Sequence, residues 1–67
     1  MNYVRKLRLE MKISQPVLAR KANIGLRYLQ KIESNQNVPT VYIAMRLAKI
    51  LKKPIEEVFI PEDFFDT

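Results

Sequence analysis

Residues 14–33 have the sequence SQPVLARKANIGLRYLQKIE, which contains the strongest structural signals of the chain. Ser14 is a residue type whose side-chain oxygen accepts a free backbone N–H at the start of a helix. Three small or apolar residues then recur at the spacing of one helical face, Leu18, Ala19 and Ala22. Asn23 is suited to end the helix, because asparagine tolerates the left-handed conformation better than most residues. The pattern predicts a short helix over about 15–22.

A second short helix is predicted over about 26–34, after a tight turn. Gly25 allows the chain to restart at a sharp angle, and Leu29 and Ile32 supply a buried stripe. The outward side carries polar side chains, Arg27, Gln30 and Lys31. A compact helix pair that offers Arg, Gln and Lys from its second member has the shape that enters a DNA major groove. We therefore interpret residues 14–34 as a helix-turn-helix.

The composition restricts the class of protein. Sixty-seven residues are near the lower size limit for a domain that folds alone, and they leave no room for a separate small-molecule-binding domain. The absence of Cys and His excludes disulfides and the usual zinc sites, so we expect no cofactor and no metal. No apolar run reaches membrane-spanning length, and the first ten residues lack a signal-peptide core. A cytoplasmic protein without a membrane partner is expected.

The charge is distributed unevenly along the chain. Residues 1–53 contain all 12 Lys and Arg against two acids, a net charge of +10. Residues 54–67 contain five acids and no basic residue, a net charge of −5. A basic body suits a polyanion, whose phosphates release counterions on binding, although Lys and Arg also simply solvate many small surfaces. Together with the helix pair, this polarity favours nucleic acid as the partner of the basic part.

The rest of the sequence predicts three further helices and no strand, and thus an all-α fold of five helices. The first helix covers about 2–11, with apolar residues spaced for one face, Val4, Leu7 and Met11. Thr40 can cap a fourth helix over about 41–51. Pro54 precedes a short fifth helix over about 55–59.

The sequence resembles the Cro/cI-type (XRE-like) helix-turn-helix family of small phage and prokaryotic DNA-binding regulators. The resemblance covers roughly residues 3–60 without a gap. It is carried by an ordered set of residues, Val4, Leu7, Arg8, Ile13, Ser14, Gln15, Leu18, Ala19, Ile24, Leu29, Ile32, Glu33, Val38, Pro39, Val41, Leu47, Ala48, Leu51, Val58 and Phe59. It implies a five-helix, lambda-repressor-like domain over residues 1–60 and transcriptional control by a dimer on a two-fold-related operator.

Four positions depart from the family pattern. Val17 replaces the Glu that would complete a capping box, and Asn23 replaces Gly in the turn. Gly25 stands where the family prefers a Ser or Thr cap. Lys52 replaces the Gly that usually follows the fourth helix, and this strains the helix end slightly. None of these changes threatens the fold, although Val17 weakens the second helix and exposes an apolar group.

The resemblance implies base contacts from the third helix, through Leu26, Arg27, Gln30 and Lys31. Arg27 is the strongest candidate, since a guanidinium can donate two hydrogen bonds to guanine O6 and N7; the alternative is a solvated surface arginine. Lys31 could reach a base or a phosphate, and phosphate is favoured. Leu26 could pack on a thymine methyl or cover the turn.

Phosphate contacts are expected around the start of the second helix and in the loop after the third. Ser14 and Gln15 begin the second helix, where free N–H groups and the positive helix end favour an anion. Asn35 and Gln36 could clamp the next phosphate, or form no more than a polar loop. Tyr28 is interpreted as a phosphate contact or an edge of the core. Such contacts fix register without carrying sequence information.

Two structural expectations complete the site. The resemblance implies an ion pair between Arg8 and Glu33 that ties the first helix to the end of the third. A homodimer is expected through the fifth helix and the acidic, aromatic tail 61–67, with interface residues Ile55, Val58, Phe59, Phe64 and Phe65. The alternative is that Phe64 and Phe65 cover their own core.

The leading functional hypothesis is a sequence-specific, double-stranded DNA-binding transcriptional regulator, a repressor acting as a homodimer on an inverted repeat. The alternative is an antitoxin or accessory module that uses the same fold to bind a protein, with DNA binding secondary. An enzyme is not expected, because the sequence lacks His, Cys, a glycine-rich phosphate loop and converging carboxylates.

Overall fold

The computed structural model describes residues 1–60, which form five helices and confirm the all-α prediction. The helices are α1 (Val4–Glu10), α2 (Gln15–Ala22), α3 (Leu26–Glu33), α4 (Val41–Leu51) and α5 (Ile55–Val58). The bounds of α2 and α4 are those predicted. The other three helices are shorter than predicted, by one to three residues, and no helix within 1–60 is long and apolar enough to cross a membrane.

The two ends of the described chain are paired, and this pairing shortens α1 and α5. Asn2 and Phe59 form an isolated antiparallel β-bridge, and the Tyr3 N–H donates to the Val58 carbonyl at 2.8 Å. The Asn2 side-chain oxygen accepts the Val4 N–H at 3.0 Å, so α1 begins only at Val4. Phe59 is extended, with φ −124° and ψ 135°, which ends α5 one residue early.

The hydrophobic core draws on all five helices. Its buried members are Val4, Leu18, Ala19, Ala22, Leu29, Ile32, Ala44, Leu47, Ala48, Leu51, Val58 and Phe59. Val17 is half-buried rather than exposed as expected.

A polar contact joins α4 to the end of α2. The Arg46 guanidinium donates to the Ala22 carbonyl at 2.7 Å. This bond satisfies a carbonyl that a helix end otherwise leaves without a partner.

The expected dimer interface is wrong for two of its residues. Val58 is completely buried and Phe59 is 2% exposed, so their side chains have no surface to offer a second copy. So small a domain must use such large apolar residues for its own core. Ile55 is half-buried and packs against that core. The expected contacts of Phe64 and Phe65 lie outside the described residues.

Local backbone chemistry sets the ends of α2 and α4. Ser14 Oγ accepts the Val17 N–H, and Thr40 Oγ1 accepts the Ile43 N–H, each at 3.3 Å. Asn23 ends α2 in the left-handed conformation with φ 56°. Gly25, in contrast, has φ −68° and ψ 147°, and a Cβ there would meet no atom within 4 Å. The turn therefore does not use the conformational freedom of glycine at Gly25, because any residue adopts this conformation.

The end of α4 gives a test of backbone strain. Lys52 has φ 61° and ψ 40°, a conformation that is unfavourable for a residue with a Cβ. We expect Lys52→Gly to raise the free energy of unfolding by about 0.5–1 kcal/mol, measured by thermal or urea denaturation. Lys53→Gly removes the same charge at a position without positive φ, and it should not stabilise the protein. Equal stabilities of the two variants would contradict the prediction.

Candidate nucleic-acid interface

One face of α3 is buried in the core, and its opposite face is therefore exposed to solvent. Leu29 and Ile32 are completely buried, which fixes the rotation of α3 about its own axis. The exposed residues of α3 line a shallow groove together with the loop that follows the helix. Its lining residues are Leu26, Arg27, Gln30, Lys31, Ser34 and Gln36. The structure therefore brings together the four side chains expected to contact bases and one expected to contact a phosphate.

The residues at the start of α3 differ in how much surface they offer. Leu26 is 40% exposed and lines the groove, so an apolar surface is available to a thymine methyl. Arg27 is exposed. Tyr28 is half-buried and packs against the core, as expected for a core edge, and only part of its side chain is open to a phosphate.

The start of α2 is less open to a phosphate than the sequence predicts. Pro16 has no N–H, and the N–H groups of Val17 and Leu18 both donate to Ser14. Ser14 Oγ is therefore already used as a helix cap. The Gln15 side chain is also engaged within the subunit: Nε2 donates to Glu33 Oε1 at 3.1 Å, and Oε1 lies 3.4 Å from a donor of α3. The Gln15 amide thus faces other side chains as well as solvent.

The loop after α3 is held in place by the N-terminal residues. Asn35 is left-handed, with φ 63°, and its Oδ1 accepts a hydrogen bond from Asn2 Nδ2 at 3.1 Å. Asn2 Nδ2 also donates to the Ile32 carbonyl at 2.8 Å. The Gln36 N–H donates to the Lys31 carbonyl at 2.9 Å, while its side chain is exposed beside the groove. The loop is therefore fixed against the end of α3, with Gln36 positioned near the groove.

The sequence profile of a family described as Helix-turn-helix matches residues 4–58, from the start of α1 to the end of α5. The chain belongs to the Cro/cI-type helix-turn-helix family. It is accordingly a DNA-binding regulator, and double-stranded DNA is the partner that this family implies. No curated protein matches the sequence.

An ion pair joins α1 to the end of α3 in this helix-turn-helix protein. Arg8 Nε donates to Glu33 Oε2 at 2.8 Å, and Arg8 Nη2 donates to Glu33 Oε1 at 3.2 Å. The two side chains are 8% and 3% exposed, so water screens the pair weakly. Arg8 Nη1 also donates to the Ile13 carbonyl at 2.9 Å, which connects the pair to the loop before α2.

Two residues that position the helix-turn-helix were not singled out from the sequence. Asn2 holds the loop after α3, and Arg46 holds the end of α2 from α4. Asparagine two positions before Val4 is a residue type that favours helix starts, and this signal could have revealed its capping role. No local pattern distinguishes Arg46 from the other exposed cations, since its partner comes from a distant helix.

Burial of the ion pair predicts a large loss of stability when one partner is removed. Glu33→Ala leaves the Arg8 charge buried without its carboxylate, and we expect the free energy of unfolding to fall by about 3 kcal/mol. Arg27→Ala removes an exposed side chain and should change stability by less than ~0.5 kcal/mol. Thermal denaturation of both variants measures the difference. Similar melting temperatures would show that the pair contributes little.

Proposed function

We propose that the protein is a sequence-specific transcriptional repressor that binds an inverted-repeat operator as a homodimer in the cytoplasm. The observation that carries the proposal is the exposed face of α3, where Arg27, Gln30 and Lys31 line one groove while Leu29 and Ile32 anchor the opposite side. A rigid helix presented in this way fits the DNA major groove. A domain seated there excludes other proteins from the same DNA, which is repression in its simplest form.

The side chains of α3 suit different parts of the DNA. We assign Arg27 to guanine, whose O6 and N7 accept two hydrogen bonds from one guanidinium. Leu26 is assigned to a thymine methyl, in keeping with its exposed surface at the start of the helix. Lys31 lies further along the groove, where a phosphate is the favoured partner and a base edge the alternative. These assignments keep base recognition at the first turns of α3.

The phosphate contacts come from elements on either side of the groove. Gln36 is assigned to a phosphate because its exposed side chain lies beside Lys31. Ser14, Gln15, Tyr28 and Asn35 remain in this group, although their internal hydrogen bonds or partial burial limit each of them to part of its polar surface. The net charge of +10 over residues 1–53 supports a partner that carries many phosphates.

Selection of binding sites from random duplexes tests the proposal. The purified protein at low salt should enrich an inverted repeat whose half-site centres lie one DNA turn apart, ~34 Å. Affinity for the enriched site should fall steeply with added salt, with a slope that counts the phosphates neutralised. A single half-site without a repeat would contradict the homodimer. No enrichment at all would contradict sequence-specific binding.

Arg27 gives a sharper test on the enriched site. We expect Arg27→Ala to weaken binding by about 5–150-fold per half-site, since a bidentate arginine–guanine contact contributes about 1–3 kcal/mol of discrimination. The preference for one base pair per half-site should disappear with it. Lys49→Ala removes an exposed charge from the last turn of α4, outside the groove, and is the matched control. An equal loss in both variants, without a change in base preference, would reduce Arg27 to a general electrostatic role.

A protein-interaction module is the second candidate, and one surface favours it. Large apolar side chains are exposed at the start of α4 and just before it, Val38, Val41, Tyr42 and Met45. Tyr42 alone is 83% exposed. Contiguous exposed apolar residues are typical of surfaces that bind proteins. An antitoxin or accessory factor would use such a surface to bind a protein. If the selection from random duplexes enriched no DNA motif, the protein-interaction function would be favoured over sequence-specific repression.

A further inference from the structure

The side chain of Asn2 is hydrogen-bonded within the subunit at both ends of its amide. Its Oδ1 accepts the Val4 N–H at the start of α1 at 3.0 Å. Its Nδ2 donates to the Ile32 carbonyl at 2.8 Å and to Asn35 Oδ1 at 3.1 Å. The backbone of Asn2 is held as well, by the β-bridge to Phe59. Asn2 therefore joins the start of α1 to the loop after α3 in one fixed orientation.

The chemistry of these groups decides which way each amide points. A backbone N–H can only donate, so the Asn2 atom beside Val4 must be the oxygen. The Asn2 NH₂ group then faces the Ile32 carbonyl, which can only accept. Because the same NH₂ group also faces Asn35, the Asn35 atom beside it must be an oxygen. The NH₂ group of Asn35 is therefore turned away from Asn2.

The NH₂ group of Asn35 remains available to a ligand at the rim of the groove. Asn35 is exposed, and no residue within 1–60 accepts a hydrogen bond from its Nδ2. Its neighbours in the chain, Ser34 and Gln36, both line the groove. An ionised phosphate accepts hydrogen bonds and does not donate them, so it matches an outward NH₂ group and would be repelled by an outward amide oxygen.

We propose that Asn2 is a positioning residue that turns the NH₂ group of Asn35 outward, so that Asn35 donates a hydrogen bond to a DNA phosphate. Asn2 contacts no DNA itself in this role. The inference rests on the proposed function, because it gives the phosphate contact of Asn35 its polarity and its cause. It also makes one DNA contact depend on a residue that precedes α1 and lies 33 positions away in the sequence.

Two variants remove the two parts of this arrangement and preserve the local backbone. Asn35→Gly deletes the amide, and glycine readily adopts the left-handed conformation of this position, with φ 63°. Asn2→Ser deletes the Nδ2 donor, while a serine hydroxyl can still accept the Val4 N–H. Asn37→Ala is the matched control, because Asn37 is exposed in the same loop and its side chain makes no hydrogen bond within residues 1–60.

Phosphate-ethylation interference on the enriched duplex measures the contact directly. Ethylation of several phosphates should weaken binding of the unmodified protein, and one of them per half-site should become insensitive in Asn35→Gly. That variant should bind the unethylated duplex about 10-fold more weakly per half-site, as expected for a lost hydrogen bond to a charged group. Asn2→Ser should reduce sensitivity at the same phosphate and weaken binding several-fold. Asn37→Ala should leave the pattern unchanged, and all three variants should keep the base preferences.

A double-mutant cycle separates positioning from an independent contact. Because Asn2 acts through Asn35, the double variant should bind DNA no more weakly than Asn35→Gly alone. In the free protein, Asn2→Ser should also shift the NMR signals of the Asn35 side-chain NH₂, and Asn37→Ala should not. Thermal denaturation establishes that each variant is folded.

Three results would overturn the inference. An unchanged interference pattern in Asn35→Gly would remove the phosphate contact. A further loss of affinity when Asn2→Ser is added to Asn35→Gly would give Asn2 a role that does not pass through Asn35. If the unmodified protein enriched no motif, the proposed function itself would fail and this inference with it, whereas an enriched motif with the same interference pattern in both variants would overturn the inference alone.

Discussion

The ion pair between Arg8 and Glu33 places two opposite charges where water barely reaches them, and the surrounding groups complete their hydrogen bonds. The Ile13 carbonyl accepts from Arg8, and the Gln15 amide donates to Glu33. A buried pair is tolerated only when its remaining donors and acceptors are satisfied in this way. Because Glu33 is the last residue of α3, the same contacts hold the end of that helix against α1 and α2. Stability and the presentation of the DNA-facing side chains therefore depend on one polar cluster.

How accurately each helix could be predicted depends on whether nearby or distant residues determine its ends. The bounds of α2 and α4 were predicted correctly because each begins at a Ser or Thr cap, and because Asn23 after α2 and the two lysines after α4 are residues typical of helix ends. Those signals are local. The ends of α1 and α5 depend on the bridge between Asn2 and Phe59, which joins opposite ends of the described chain. No local pattern carries that information, so both helices were predicted too long.

The candidate site shows the same division between local and distant causes. Helical periodicity was sufficient to predict which side chains of α3 are exposed, including Arg27 and Gln30. It could not reveal that Gln15 lies against Glu33, because that approach depends on how α2 packs on α3. An apolar pattern also does not show whether a residue packs in the core of its own subunit or at an interface with a second subunit. For this reason Val58 and Phe59 were wrongly expected at a surface between subunits.

The turn between α2 and α3 has a consequence for the thermodynamics of association. It contains the one glycine of the sequence, yet Gly25 occupies ordinary extended backbone, and the preceding Asn23 supplies the left-handed residue. The angle between the two helices is thus set by buried side chains rather than by a flexible hinge. A motif with so few alternative shapes loses little conformational entropy when it meets a rigid duplex. Ordering of the motif itself therefore subtracts little from the free energy of its contacts with DNA.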